Sequence, residues 1–330
     1  MPKILLVCHA SADIGLGHLS RVTALAQSLE SDGMVVPEIL IFGDFFPKDG
    51  ILNFSTHLFS LADDFVTTVQ KVVVAGDFNA IAFDLHALQD IKGFDNLLFR
   101  LKNNDIHLIA IDSLLEYCNV LDLIWMPSFN FDISNHINCK CIIRSGWDSY
   151  LIQKRFPARE WAPGSKVLVL TGGSDTAKLS RSLPEYLDKS LGNDVEINWV
   201  QGPFAEPPKL SNKNHLNWII HSSPSGLDEL IVNSNYVLTV FGVALFEVLQ
   251  YGVPAVVFSP YGNKDDPELR ALSAQNIASV ADNSLEAVDR LRSLIADDDL
   301  ARSYSLNSLN KLASNGAQNL AKQIHLLLEV

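Results

Sequence analysis

The chain has 330 residues, 48% of them hydrophobic and 19% charged. That is apolar material for two packed cores, since one core rarely grows beyond roughly 250–300 residues, and it lies well outside the disordered range. The net charge of −13 excludes a sequence-independent nucleic-acid binder, which needs a basic face, but leaves room for a small anionic ligand held at a helix N-terminus.

Met1-Pro2-Lys3 leads straight into an apolar run, and no run reaches the roughly 18 residues of a membrane span. Cys8, Cys118, Cys139 and Cys141 show no paired framework. Together these features predict a cytoplasmic chain with at most peripheral membrane contact.

Strand patterns recur at 3–9, 35–42, 79–84, 106–112, 121–126 and 139–144, with helical patterns at 18–30, 62–74 and 94–102 between them. Apolar runs bounded by turn residues and alternating with helices predict an α/β fold with a parallel sheet covered on both faces. The first strand-to-helix turn carries Ile14-Gly15-Leu16-Gly17-His18. Gly15 and Gly17 permit positive φ and close backbone approach, and the helix start exposes N–H groups to an anion. His18 stands at the mouth of this turn, where the helix dipole disfavours a further positive charge, so its imidazole is a candidate proton acceptor. Asp84 and Asp112 close the third and fourth strand patterns at their carboxyl ends, where open α/β sheets bind ligands. Asp112 reads equally well as a turn former or helix cap. His136-x-x-Cys139-x-Cys141 lacks a fourth ligand at a usual metal spacing and reads as buried thiols.

From 145 to 164 the periodicity is lost among Trp147, Tyr150, Phe156, Trp161 and two prolines, predicting an interdomain connection with docked aromatics. The expected domains are 1–145 and 146–330, with the last helix packing back on the first. A second alternating series follows, with strands at 167–170, 196–201, 217–221, 236–240 and 254–258. Helices are expected from about 176 to 190, at 226–233 and 243–250, and two more, 285–296 and 318–328, finish the chain.

The second half has its own glycine turn, Thr171-Gly172-Gly173-Ser174-Asp175, where Gly173 and Ser174 offer N–H and hydroxyl groups to a phosphate or hydroxyl. An ordinary capped strand-to-helix turn is the alternative. Gly242 opens a further helix to a ligand, and Glu247 lies one turn in among Phe246, Val248 and Leu249. A carboxylate in such a run is costly to bury without partners, which favours a role in holding vicinal hydroxyls such as those of ribose over a solvent-facing position.

Taken together, Ile14-Gly15-x-Gly17-His18-x-x-Arg21, Asp84-x-His86, Ile111-Asp112, Thr171-Gly172-Gly173-Ser174-Asp175 and Gly242…Glu247…Gly252-x-Pro254 resemble the GT-B nucleotide-sugar enzymes. The resemblance is closest to the UDP-sugar hydrolases of the pseudaminic-acid pathway and their spore-coat polysaccharide relatives. It implies two Rossmann-like domains with a cleft between them and an inverting enzyme that releases a free sugar and UDP. His18 would be the general base, with Asp84 and Asp112 in the catalytic group and Gly15, Gly17 and Arg21 against the substrate. The helix start at Gly242 and Val243 would meet the diphosphate, Gly173 and Ser174 would bind substrate or nucleotide in the same half, Glu247 would hold the ribose, the backbone of Ile220 and His221 the uracil, and Asn263 the sugar. His221 reads otherwise as a polar residue ending an edge strand. The resemblance implies no metal and no cofactor, the nucleotide sugar being the substrate. The family's Ser-Thr after the second-domain glycine is replaced here by Val243-Ala244, leaving backbone N–H groups for the diphosphate. The alternatives are a GT-B glycosyltransferase acting on a saccharide or lipid-linked acceptor, and a non-catalytic nucleotide-sugar-binding subunit.

Overall fold

A computed structural model describes residues 1–44, 54–86, 91–136, 138–211 and 215–329. It divides into two compact units, Met1–Gln153 with Asn315–Val330, and Lys154–Ser314. The division falls after Gln153 rather than at 145, because Leu151 is buried in one cluster with Ala317, Leu320 and Ile324 of the closing helix. Trp147 and Tyr150 thus lie in the first unit and Phe156 and Trp161 in the second. Tyr150 and Trp161 are buried, whereas Phe156 is 39% exposed and is not docked as expected.

The first unit runs β1 (Lys3–Ala10), α1 (Gly17–Asp32), β2 (Val36–Gly43), β3 (Ser55–Phe59), α2 (Phe65–Gly76), β4 (Ala80–Asp84), α3 (Phe94–Asn103), β5 (His107–Ile111), β6 (Leu123–Met126) and β7 (Ile142–Ser145). Its strands form one parallel sheet in the order β3-β2-β1-β4-β5-β6-β7. The period-two pleat splits β1 between two cores. Ile4, Leu6 and Cys8 face the cluster that holds Val22, Leu25 and Leu29 of α1. Leu5 and Val7 face Val69 of α2 and Leu97 of α3. Both faces are covered, which is why β1 reads as an unbroken apolar run.

The second unit runs β8 (Lys166–Leu170), α4 (Leu179–Ser190), β9 (Glu196–Gln201), β10 (Asn217–Ser222), α5 (Asp228–Val232), β11 (Tyr236–Val240), α6 (Val243–Leu249), β12 (Ala255–Phe258), α7 (Asp266–Ala274), β13 (Ser279–Val280), α8 (Ser284–Ile295) and α9 (Asp298–Lys311). Its sheet is also parallel, ordered β10-β9-β8-β11-β12-β13. Helix α10 (Gly316–Leu327) closes the chain and packs on α1 of the first unit. Gly316 lies so close to Ser149 and Tyr150 that a Cβ there would sit 2.4 Å from the Tyr150 carbonyl oxygen.

Four elements escape the sequence patterns. Strand β3 is an exposed edge with no continuous apolar run, and β13 has two residues. Helix α7 starts with Pro267 in its first turn, which its sequence shares with the loop before it. Helix α9 buries Ala301, Ser305 and Ser308, so its inner face is built from small residues and shows no apolar stripe.

The cysteine expectation is overturned for two of the four. Cys118 and Cys139 form a disulfide, with Cα atoms 5.3 Å apart, while Cys8 and Cys141 are free. The spacing of 21 residues gave no sign of it, since the two cysteines lie in different connections, Cys118 in the one leading into β6 and Cys139 in the one leading into β7, and the parallel pairing of those strands sets them side by side. The argument from unpaired thiols to a reducing compartment therefore falls away. Among the described residues no helix is long and apolar enough to cross a membrane.

Candidate functional site

In each sheet the strand order reverses once, between β1 and β4 in the first unit and between β8 and β11 in the second. The connections leave the carboxyl ends of those strands in opposite directions, which opens a crevice where open α/β sheets take their ligands. The first crevice is where His18, Arg21, Asp84 and Asp112 meet.

The backbone dictates this convergence. The turn from β1 into α1 is closed by Gly15 N–H donating to Ser11 O at 2.8 Å, with Gly15 at φ 84. Gly17 does not use a positive φ, contrary to expectation; it is the first residue of α1. No side chain caps that helix start. His18 and Arg21 are three apart on α1 and so share the face turned towards β4. Asp84, the last residue of β4, is fully buried opposite Cys8 of β1.

Arg21 grips Asp84 with two hydrogen bonds, Nε to Oδ2 at 2.8 Å and Nη2 to Oδ1 at 2.6 Å. Its third nitrogen, Nη1, lies 3.2 Å from Asp112 Oδ2. Asp112 reaches this position from just beyond β5 at φ 61, a left-handed conformation that costs a non-glycine residue energy. It is thus a partner of Arg21 and, with this backbone, also the turn former that the sequence allowed. Burial pushes the Asp84 carboxyl up, but the charge and hydrogen bonds of Arg21, followed by the His18 hydrogen bond, outweigh it and hold Asp84 below the ordinary carboxylate value. Asp84 is therefore an anion. His18 Nδ1 lies 2.6 Å from Asp84 Oδ1, so it is the nitrogen that carries hydrogen and donates. Arg21 Nη2 is also 3.0 Å from Nδ1, but its nearer acceptor is Asp84. The Nε2 lone pair of His18 is left to accept a proton.

Beneath this group, burial pushes the Cys8 thiol well up and the Asp84 charge adds to the effect, so Cys8 is an inert core thiol. His9, next along β1, is buried as well. Burial first, then the neighbouring His18 and His86, lowers its pKa from 6.5 to about 4. The unfolded chain thus takes up this proton before the folded one, and folding stability should fall as pH drops from 6.5 towards 4 and be flat above. The full span is worth about 3 kcal/mol. Chemical denaturation of wild type and His9→Leu at pH 7.5 and 4.5 checks this: the gap between them should shift towards the variant at the lower pH.

In the second crevice, Gly172 sits at φ 90 and Gly242 at φ 157 with ψ −171, a region open essentially to glycine. Asp175 caps α4, its two carboxylate oxygens accepting from the N–H groups of Leu179 and Ser180 at 2.8 Å each. The hydroxyl oxygens of Thr171 and Ser174 are buried without a hydrogen-bond partner. Thr171 opens the glycine-turn motif but was not itself among the expected site residues, because the burial of its hydroxyl is not visible in the sequence. An unsatisfied buried hydroxyl costs roughly 1–3 kcal/mol, and two at one glycine turn mark a polar site.

Solved structures share this architecture. MurG of Acinetobacter baumannii aligns over 98% of this chain and 99% of its own, with 15% identity and a TM-score of 0.64. UGT2 of Phytolacca americana, complexed with UDP-2fluoro-glucose and pterostilbene, aligns over 99% and 100%, at 11% identity and TM-score 0.67. A co-structure of S. aureus MnaA with UDP aligns over 100% and 97%, at 12% identity and TM-score 0.66. The fold is GT-B. No protein-family model and no curated protein sequence matches the chain.

Within the GT-B frame the remaining expected residues are spread over the second unit. Gly173, Ser174, Gly242 and Val243 stand at its strand reversal. Glu247 is half-buried rather than buried, which removes the argument from the cost of a buried carboxylate. Ile220 and His221 lie on the edge strand β10, separated from the reversal by β9. His221 Nε2 is hydrogen-bonded to Asn198 Oδ1 at 2.9 Å, so that side chain is a cross-strand structural group. Asn263 is exposed in the short 3₁₀ turn Gly262–Asp265 after β12.

Proposed function

We propose that this chain is a GT-B glycosyltransferase that moves a sugar from a nucleotide sugar, most simply a UDP-sugar, to the hydroxyl of a saccharide or lipid-linked acceptor. The observation that carries the proposal is the His18–Asp84–Arg21 group at the strand reversal of the first unit. A buried carboxylate that fixes one imidazole nitrogen as donor leaves the other as a base of set orientation. An acceptor O–H gives its proton to His18 Nε2 as its oxygen attacks the anomeric carbon, and the nucleoside diphosphate leaves from the opposite face, inverting the centre. Asp84 steadies the imidazolium that forms, and Arg21, held also by Asp112, keeps Asp84 in place. The structures of UGT2 with UDP-2fluoro-glucose and of MnaA with UDP support a UDP-sugar as donor.

The nucleotide is assigned to the second unit. Gly173, Ser174 with its unsatisfied hydroxyl, and the Gly242–Val243 helix start would meet the diphosphate. Glu247 would take the ribose hydroxyls, and the edge-strand backbone at Ile220 and His221 the base. Asn263 is assigned to the sugar. Glu247→Ala should weaken UDP binding ten-fold or more, since charged hydrogen bonds are worth roughly 1.5–3 kcal/mol each. Calorimetry that finds unchanged affinity in the folded variant would return Glu247 to a structural role.

Hydrolysis is the second reading, favoured by the likeness of Gly15-x-Gly17-His18-x-x-Arg21 and Asp84-x-His86 to the UDP-sugar hydrolases. The same base would then activate water. A UDP-release assay over a panel of UDP- and CMP-sugars, with and without acceptors, separates the readings. Acceptor-dependent release supports transfer, and acceptor-independent release selects hydrolysis. Binding without release would mark a non-catalytic subunit, the outcome that Val243 and Ala244 in place of hydroxyl residues would then explain.

A further inference from the structure

Two imidazoles beside His18 take no part in the chemistry above. His86 follows Asp84 by two residues and is exposed, whereas Asp84 and Leu85 are buried. Its ring meets the His18 ring edge-on, with centroids 6.0 Å apart and planes at 79°. The chain thus places a second imidazole, accessible to ligand, against the base at the mouth of the same crevice. The His86 backbone N–H donates to His9 Nδ1 at 3.2 Å. His9 in turn stands edge-on to Phe42 and Phe65, at 6.3 and 6.1 Å between centroids. A polar ring among aromatics is costly unless hydrogen-bonded, and here it receives the amide that fixes where His86 leaves the strand.

We propose that His86 is a further substrate-contacting residue, hydrogen-bonding a hydroxyl of the sugar or acceptor beside the oxygen that His18 activates, and that His9 is its positioning residue. This rests on the glycosyl-transfer reading. The chemistry fits the placement. A displacement that expels a nucleoside diphosphate needs one base, so a second imidazole 6.0 Å away is suited to orienting a neighbouring hydroxyl. Among the described residues the charged groups that act on His9 are His18, His86 and Asp84. His9 stays uncharged down to about pH 4, so its Nδ1 lone pair is present wherever the enzyme would work.

The test is a double-mutant cycle on UDP release from the UDP-sugar panel, with water or simple glycosides as acceptors. His86→Ala should lower kcat/KM about ten- to hundred-fold, the loss expected when a substrate hydroxyl goes unpaired, while UDP affinity by calorimetry stays unchanged. His9→Leu should reproduce most of that loss, and His9→Asn, which keeps an oxygen acceptor, should recover it. The double variant should be no worse than His86→Ala alone, because His9 acts through His86. Additive losses would make His9 a core residue only, and a folded His86→Ala with wild-type kcat/KM overturns the contact. His86 is exposed, so that variant keeps the test open should His9→Leu fail to fold. Wild-type protein that releases no UDP from any sugar removes the glycosyl-transfer reading first, and this inference with it.

Discussion

His18→Asn should lower turnover by about 10²–10⁴-fold, the usual cost of losing a general base, and leave UDP affinity unchanged. The split follows from where the groups sit. His18 belongs to the first unit, and every group assigned to the nucleotide belongs to the second. Asn can still donate to Asp84 through its amide, so the local hydrogen bond to Asp84 Oδ1 is kept while the proton acceptor at Nε2 is lost. Steady-state turnover set beside UDP calorimetry reads both quantities on one preparation. A variant that keeps near-full turnover would leave His18 as a turn residue and shift the search for a base to Asp112 or His86.

What the sequence could and could not reveal follows from the geometry of parallel sheets. A strand covered on both faces is an apolar run, and the first polar residue at its end marks the carboxyl end, so Asp84 and Asp112 stand out there, while His18 stands out by the glycine turn that opens α1. The link that Arg21 makes to Asp112 does not stand out, because it depends on the left-handed backbone at Asp112. Strand order is likewise hidden. Nothing in the residues around Ile220 and His221 says that β10 is an edge, one strand removed from the reversal. Glu247 shows a different trap. Its neighbours Phe246 and Val248 are buried, but on a helix successive residues point about 100° apart, so apolar neighbours do not bury the residue between them. Helix α9 fails the periodicity test for the opposite reason, since its buried face is alanine and serine.

Asp84 joins stability to chemistry, and its replacement should show the larger structural effect. Asp84→Leu leaves the Arg21 guanidinium, 10% exposed at its side chain, without its main partner. Breaking a buried pair in this way costs about 3–5 kcal/mol, and Asp112, itself 40% exposed, replaces only part of the lost interaction. The carboxylate contributes fully above the ordinary value of 3.8 and ceases to do so as pH falls through its lower folded value. The loss in Asp84→Leu should therefore be constant from pH 5 to 8. Adding Arg21→Met removes the orphaned charge, and well-packed apolar substitutes for a buried ion pair are often neutral, so the double variant should regain most of the stability. It should not regain activity, because His18 Nδ1 still lacks the acceptor that fixes its tautomer. Denaturation midpoints and UDP release measured on the same three proteins decide the matter. Recovery of both together would mean that Asp84 matters to the fold alone; recovery of stability without turnover assigns it to holding the base.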